Sequence, residues 1–146
     1  MDAGEARARF VEARVARLAT ADATGRPHLV PIVFALVGDD LYSAIDLKPK
    51  EHVGAAGRLR RLDNIRANPA VSALVDHYAE DWQQLWWARA DGTARIVEAG
   101  EAEASRAIAA LSERYTQYRD AVPPGPVIVV AVGRWSGWMA RNDSSA

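Results

Sequence analysis

Short apolar stretches alternate with turn residues over much of the chain. The first stretch runs from Val15 to Ala19, a turn follows at Asp22-Ala-Thr-Gly25, and apolar residues resume from His28 to Val37. Apolar segments of this length separated by a few turn residues are typical of β-hairpins. Gly38-Asp39-Asp40 then leads into residues 41–45. The pattern therefore predicts three consecutive antiparallel strands.

Near the middle of the chain, the spacing of the apolar residues changes from that of strands to that of a helix. Leu59, Leu62 and Ile65 recur on one helical face. The helix should end at Asn68-Pro69, because the residue before a proline resists the α conformation. The apolar residues 70–76 that follow predict another strand.

The second half repeats this arrangement. Residues 85–90 and 93–97 flank Asp91-Gly92, a pair that favours the type I′ turn, and they predict a further hairpin. A second amphipathic helix is indicated by a stripe made of Ala104, Ile108, Leu111, Tyr115 and Tyr118. Prolines at 123–126 end that helix, and Val127 to Val132 predict a buried last strand.

These elements give six or seven antiparallel strands with two intervening helices. No internal repeat or low-complexity linker interrupts their order, so residues 1–146 are interpreted as one mainly β domain. A closed or nearly closed barrel would remove the unpaired sheet edges.

Composition and charge exclude several classes of protein. The chain has 146 residues, of which 49% are hydrophobic and 25% charged, as in globular rather than disordered proteins. The absence of cysteine excludes thiolate metal sites and cysteine nucleophiles, and it agrees with the reducing cytoplasm, where we expect the protein. We find no export signal and no apolar run near the roughly 20 residues of a membrane span, so no membrane partner is expected.

Side chains that perform chemistry unaided are scarce. His28, His52 and His77 lie in three separate segments without metal-ligand spacing, so we predict no metal site. A Gly-x-Ser-x-Gly nucleophile motif is absent, which argues against a self-contained hydrolase. No catalytic side chain is identified, and the chemistry of an enzyme with this sequence would be carried by a cofactor.

Basic residues concentrate around the loop that precedes the first predicted helix: Lys48, Lys50, Arg58, Arg60 and Arg61. With a net charge of −1, the chain needs such local clustering to bind an anion. Arginines in a first helical turn are unfavourable unless an anion offsets them, which indicates a phosphate or polycarboxylate site. The alternative is a solvated face in which Asp63 and Glu51 act as partners. Aromatics are not interleaved with the cluster, so we expect no nucleic-acid partner.

Five tryptophans are a large aromatic content for a chain of this size. Trp86 and Trp87 are adjacent and must point to opposite faces of a strand, so one should enter the core while the other meets a ligand or a second subunit. Trp135 and Trp138 should also face opposite ways, with Trp138 plugging the barrel or an interface. This aromatic surface predicts a homodimer.

Three segments, taken in order, carry a resemblance to a known family: Val15 to Pro31, the strand-loop-helix ending Asn64-Ile65-Arg66-Ala67-Asn68-Pro69-Ala70-Val71, and Asp76-His77-Tyr78 with Asp81-Trp82 and Leu85-Trp86-Trp87. Over nearly its whole length the chain resembles the pyridoxamine 5′-phosphate oxidase-like, FMN-binding split-barrel superfamily, in particular its actinobacterial deazaflavin-dependent branch. The resemblance implies an antiparallel Greek-key split β-barrel with two or three short helices.

The resemblance also implies a binding site. The cofactor phosphate would lie against Lys48, Lys50, Arg58 and Arg61, and its ring would lie near Pro31, Ile32, Val33, Ser43, Ala44 and Ile45. In such proteins the site faces the dimer partner, which gives a role to Trp87 of the Trp86 and Trp87 pair.

Two departures from the vitamin B6 oxidases bear on function. Those enzymes carry an Arg-x-Val-Leu-Leu-Lys stretch and a C-terminal Arg-x-x-Arg-x-x-Trp pattern, where this chain has residues 43–50 and 134–138 of different sequence. Vitamin B6 synthesis is therefore not expected. The resemblance and the extended basic segment favour coenzyme F420 over FMN, because the F420 phosphodiester and glutamate tail carry more negative charge than the single FMN phosphate.

The leading hypothesis is hydride transfer from reduced F420 to a small conjugated acceptor, with the proton supplied by solvent or Tyr78. The alternatives are an FMN oxidoreductase on the same fold and a non-catalytic protein that binds F420, FMN or haem.

Overall fold

Seven strands of the described residues form one antiparallel sheet, which confirms the predicted mainly β class. The computed structural model describes residues 1–45 and 59–140. Its strands are β1 (Ala16–Ala21), β2 (Pro27–Ile32), β3 (Ala35–Val37), β4 (Asp40–Ala44), β5 (Ala70–His77), β6 (Trp86–Val97) and β7 (Val127–Met139). Its helices are α1 (Ala3–Glu12), α2 (Arg60–Ala67), α3 (Ala102–Arg114) and α4 (Gln117–Asp120), with a 3-10 turn at Trp82–Gln84. The strand order is β2-β1-β5-β6-β7-β4-β3.

The turn between β1 and β2 forms where the sequence predicts it. The Asp22 carboxylate accepts hydrogen bonds from the backbone N–H of Thr24 at 2.8 Å and of Arg26 at 3.0 Å. Gly25 has a φ of +87°, a conformation that a side chain would strain. An aspartate that organises the turn backbone and a glycine at the left-handed position therefore close this hairpin.

The predicted stretch from His28 to Val37 is two strands rather than one. β2 pairs with β1, whereas β3 pairs with β4, so the chain changes neighbours between them. Phe34 at this break is fully buried, and its N–H donates to the Tyr115 hydroxyl at 3.2 Å. Tyr115 thus replaces a strand partner for the backbone at the bend.

The predicted hairpin at Asp91-Gly92 is wrong. β6 runs unbroken through this pair, with β5 on one side and β7 on the other. A register shift occurs at Asp91/Gly92, and a Cβ on Gly92 would collide with the carbonyl oxygen of Ala131. The glycine therefore permits a bulge and a close backbone approach, not a reversal of the chain.

The N-terminal helix α1 was not predicted. Asp2 and Glu5 form a reciprocal capping box at its start. Ala6 and Phe10 are fully buried on its inner face, and Phe10 packs edge-on against Trp135 with ring centroids 5.3 Å apart. The capping box and the four-residue spacing were the signals available in the sequence.

α2 agrees with its predicted position, whereas the second predicted helix is divided into α3 and α4. Ile65 of α2 is buried in the larger core cluster, and Leu62 packs against that cluster. α3 begins near the predicted Ala104 and is followed by α4, and both Tyr115 and Tyr118 are buried in the second cluster. No helix in the described ranges has the length and apolar character needed to cross a bilayer.

Alternation along four neighbouring strands separates an inner from an outer surface. The inner residues, among them Leu18, Ala73 and Ala88, belong to the larger core cluster. What we call the outer face is made of the residues between them: Arg17, Ala19, Leu29, Ser72, Leu74, Asp76, Trp87 and Arg89. The two surfaces are separated by the thickness of the sheet, so residues on one do not contact residues on the other.

Candidate functional site

Arg61 lies in the first turn of α2 and is partly buried. Its Nε is shielded from solvent and has no hydrogen-bond partner, and no carboxylate of the described residues forms an ion pair with it. Burial lowers the pKa of the guanidinium below its usual value, while the neighbouring Tyr118 acts in the opposite direction. Arginine nevertheless stays charged at neutral pH. The helix therefore presents a desolvated cation to the site.

Asp63, the proposed partner in the solvated-face alternative, pairs instead with Arg66 of the same helix at 3.7 Å. Arg66 is exposed and also lies 3.9 Å from Glu98. Among the described residues, the solvated-face alternative therefore fits Arg66. Within α2 the structure thus distinguishes the exposed Arg66, which is paired, from the partly buried Arg61, which has no ion pair with a carboxylate of residues 1–45 or 59–140.

His28 is a polar group of this region that the sequence did not assign to the site. It lies on the inner side of β2, directly across from Thr20 of β1, and its Nδ1 is buried without a hydrogen-bond partner. Burial and the charges of Arg60 and Arg61 lower the pKa of His28 from its ordinary value. The only signal in the sequence was a histidine at an alternating position of a predicted strand, and nothing local connects that position to α2.

The residues predicted to flank the cofactor ring lie at the boundary of the two core clusters. Ile32 and Ile45 are buried in the larger cluster. Ala44 is buried in the second cluster, and Val33 packs against it. Pro31 is exposed, whereas Ser43 is 3% exposed within β4.

These two backbone stretches are linked to opposite parts of the sheet. Pro31 and Ile32 belong to β2, while Ser43 and Ala44 pair with β7. The Ile45 N–H donates to the carbonyl of Pro126 at 3.0 Å, which fixes the end of β4. Contact between these residues and a cofactor ring stays a prediction. Lys48, Lys50 and Arg58 lie outside the described residues, so of the four basic residues predicted to bind the phosphate, the structure describes the surroundings of Arg61.

Trp86 and Trp87 face opposite ways, as predicted. Trp86 packs against the larger core cluster, stacks on His77 with ring centroids 6.4 Å apart, and has the Arg9 guanidinium 5.1 Å from its ring. Trp87 lies on the outer face with the Arg89 guanidinium 5.5 Å from its ring. Trp86 is therefore the core member of the pair, and Trp87 is available to a ligand or a second subunit.

A cleft of about 300 Å³ opens beside Trp87 and is lined by Leu74, Asp76, Tyr78, Trp87 and Arg89. Tyr78, the residue suggested as a proton donor, is 67% exposed here. Asp76 is held by Arg17 at 3.1 Å, and Arg89 by Asp91 at 3.0 Å. The charges of the outer face thus satisfy one another, unlike Arg61 across the sheet.

Metal chemistry finds no support in the part of the chain that the structure describes. No three His, Asp or Glu side chains within it come together as ligands. What these residues can hold is an anion: a guanidinium and an imidazole each present an unpartnered nitrogen on the inner side. A phosphate fits that chemistry.

Comparison of the sequence with protein families decides its membership. The family model for pyridoxamine 5′-phosphate oxidase matches residues 3–139. The chain belongs to this family. No protein with a curated description matches the sequence.

Several solved structures share the pyridoxamine 5′-phosphate oxidase-like fold. An FAD-binding protein from Mesorhizobium loti is 22% identical, with a TM-score of 0.70 and 94% of each chain covered. A heme storage protein from Vibrio cholerae is 20% identical, with a TM-score of 0.70 and 95% of each chain covered. A heme binding protein from Mycobacterium smegmatis is 19% identical, with a TM-score of 0.66; 94% of this chain and 57% of that chain are covered. Likeness at this level of identity establishes the fold alone.

Proposed function

We propose that this protein is a homodimeric oxidoreductase that uses reduced F420 to reduce a small conjugated electrophile. The observation that carries the proposal is Arg61, a partly buried cation whose Nε has no partner. A buried charge that nothing offsets is unfavourable, and an anionic ligand removes the penalty. The F420 phosphodiester supplies such an anion, and its glutamate tail supplies further charge for Lys48, Lys50 and Arg58.

The second part of the proposal concerns the dimer. Arg61 belongs to the inner side of the sheet and Trp87 to the outer face, so one cofactor does not contact both within a single chain. A dimer in which the outer face of a second copy packs beside α2 of the first brings the Trp87 of that second copy to the cofactor held by the first. The exposure of Leu29 and Tyr78, each 67%, and the open cleft beside Trp87 support an interface there.

When bound, reduced F420 supplies a hydride from ring carbon C5. The chain's own part is to bind and to exclude water. Arg61 anchors the phosphate end, and the backbone of residues 31–33 and 43–45 flanks the ring. Tyr78 shares its cleft with Trp87, so it reaches the acceptor from the same copy that supplies Trp87 and donates a proton from its hydroxyl.

Haem binding is the second candidate, because two proteins of the same fold bind or store heme. An axial ligand would come from a histidine, and His77 is exposed beside Trp86. Haem carries two propionate carboxylates that can also pair with Arg61, so this arginine alone does not separate haem from a flavin. FMN on the same site is the nearer alternative, since it carries one phosphate for Arg61.

Titration of the purified protein with F420, FMN and haem, followed by absorbance and fluorescence, separates these candidates. We expect F420 to bind more tightly than FMN, and the loaded protein to oxidise reduced F420 when a quinone or enone is added. Tight haem binding without affinity for either flavin would contradict the proposal. Binding of F420 without turnover of any acceptor would leave a carrier rather than an enzyme.

A further inference from the structure

His28 and Arg61 come together through the packing of α2 on the first hairpin. Asn64 of α2 is 3% exposed, and its Nδ2 donates to the Thr20 hydroxyl at 3.0 Å. Thr20 is the cross-strand partner of His28. This buried hydrogen bond therefore fixes α2 directly beside the strand position of His28.

Arg61 stands one turn before Asn64 on the same helix face, because residues three apart are neighbours on a helix surface. The Asn64–Thr20 contact thus directs Arg61 toward the inner side of the hairpin, where His28 lies. Each residue has a buried nitrogen without a hydrogen-bond partner, Nδ1 in His28 and Nε in Arg61. Two unpartnered nitrogens from two separate elements indicate a common ligand, since buried polar groups in folded proteins are normally satisfied.

The charges around His28 are cationic. From α2, Arg60 and Arg61 both act on it, and its β1 neighbour Thr20 is uncharged. Tyr118 of α4 faces Arg61. Together with burial, the two arginines lower the pKa of His28, so the imidazole is neutral at neutral pH in the ligand-free protein. An anion placed between His28 and Arg61 reverses this field and favours the imidazolium.

We propose that His28 is a proton-coupled ligand of a tetrahedral oxyanion, such as a phosphate ester, that binds against Arg61. On binding, the imidazole takes one proton from solvent and donates a hydrogen bond from Nδ1 to an anion oxygen. The Arg61 guanidinium donates to the same anion. Since the anion is identified with the cofactor phosphate, the inference rests on the proposed function, and it adds that low pH strengthens cofactor binding.

Calorimetric titration with sulfate tests the site without the cofactor. Sulfate does not titrate between pH 6 and pH 8, so any proton taken up on binding belongs to the protein. Measurement in two buffers of different ionisation enthalpy counts these protons. We expect uptake approaching one proton per sulfate, and an affinity that falls up to about tenfold per pH unit above the pKa of the bound His28.

Two variants locate the proton. His28→Gln should abolish the proton uptake and weaken sulfate binding at pH 6 by about tenfold, the equivalent of one pKa unit. His77→Gln is the matched control, because His77 is exposed and stacked on Trp86, and it should retain the uptake. NMR titration of the unaltered protein gives a check independent of folding defects, since saturating sulfate should raise the pKa of His28.

The inference is overturned if the unaltered protein does not bind sulfate, binds it without proton uptake, or shows no rise in the pKa of His28. Uptake that persists in a folded His28→Gln variant overturns it as well. If His28 and Arg61 form a hydrogen bond directly with each other, sulfate would bind without proton uptake. If sulfate binding is linked to proton uptake but the protein binds neither F420 nor FMN, the anion site is supported and the proposed function is refuted.

Discussion

The arginines on the two surfaces of the sheet differ in burial and in ion pairing. On the outer face, Arg17 pairs with Asp76 at 3.1 Å and Arg89 with Asp91 at 3.0 Å, all at partly exposed positions. On the inner side, Arg61 is partly buried, and it forms no ion pair with a carboxylate of the described residues. Residue type alone therefore does not distinguish the ion-paired arginines from the desolvated one.

The two surfaces differ in whether their charged groups need a further partner. An exposed ion pair contributes little to stability and needs no further partner, so the outer face is electrostatically complete. A desolvated cation without a counter-ion is unfavourable until an anion arrives. The outer face, with its exposed apolar and aromatic groups, suits a protein surface, and the inner side suits an anionic ligand.

The largest effect is expected at the outer face. Trp87→Ala should weaken dimerisation by about 2 kcal/mol or more, because a large aromatic at an interface centre dominates its energy. Sedimentation or light scattering over a range of concentrations measures the shift. Val37→Ala is the control, since Val37 is 52% exposed but lies on β3 at the far edge of the sheet. A monomeric unaltered protein at micromolar concentration would refute the dimer.

On the inner side, Arg61→Ala should weaken binding of both F420 and FMN by about 1–3 kcal/mol, the range for a charge-assisted hydrogen bond. The same is expected of Arg58→Ala. Fluorescence titration provides the measurement. Arg66→Ala, on the same helix but exposed and paired, should change affinity by no more than about 0.5 kcal/mol. Equal losses in the Arg61 and Arg66 variants would remove the distinction between them.

The ligand-free protein offers a test of opposite sign. Arg61→Met replaces a partly buried cation, whose Nε has no hydrogen-bond partner, by an apolar side chain of similar length, and it should stabilise the ligand-free fold by about 1 kcal/mol. Denaturant unfolding detects the change. In the Arg66→Met control the stability should stay within about 0.5 kcal/mol. A clearly destabilised Arg61→Met variant would mean that Arg61 already has a stabilising partner.

The Arg17–Asp76 pair should be weakly coupled. A double-mutant cycle with Arg17→Ala and Asp76→Ala is expected to give about 0.2–1 kcal/mol, decreasing with added salt, because both side chains are partly solvated. Thermal unfolding of the four proteins supplies the numbers. A coupling above about 2 kcal/mol would show that the outer face holds more than ordinary surface pairs.

The smallest effect concerns pH and the ligand-free fold. The pKa of His28 lies below its ordinary value of 6.5, so folding favours the neutral imidazole. Stability should therefore be full above about pH 6.5 and decline as the pH falls through that value toward the folded-state pKa. Unfolding curves at several pH values should show the decline, and it should diminish in His28→Gln. Saturating sulfate should offset it.

The local sequence pattern predicted several of the elements that a local cause forms. Asp22 and Gly25 make a turn by their own chemistry, and Leu62 with Ile65 mark α2 by spacing. The capping box of α1 was present and overlooked. At Asp91-Gly92 the turn prediction from the local sequence failed, because the glycine is required by the close approach of the Ala131 backbone on β7. The dipeptide alone does not show whether the chain reverses there or a neighbouring strand approaches closely.

The sequence by itself determined the mainly β class, the family resemblance, the cluster of basic residues before α2 and the opposite orientations of Trp86 and Trp87. These follow from alternation, helical period and charge, all of which act over a few residues. The tertiary structure decided that α2 packs beside the β2 position of His28, so that the charge of Arg61 acts on that imidazole. That outcome depends on the β1–β2 register and on the buried Asn64–Thr20 hydrogen bond, which join segments far apart along the chain.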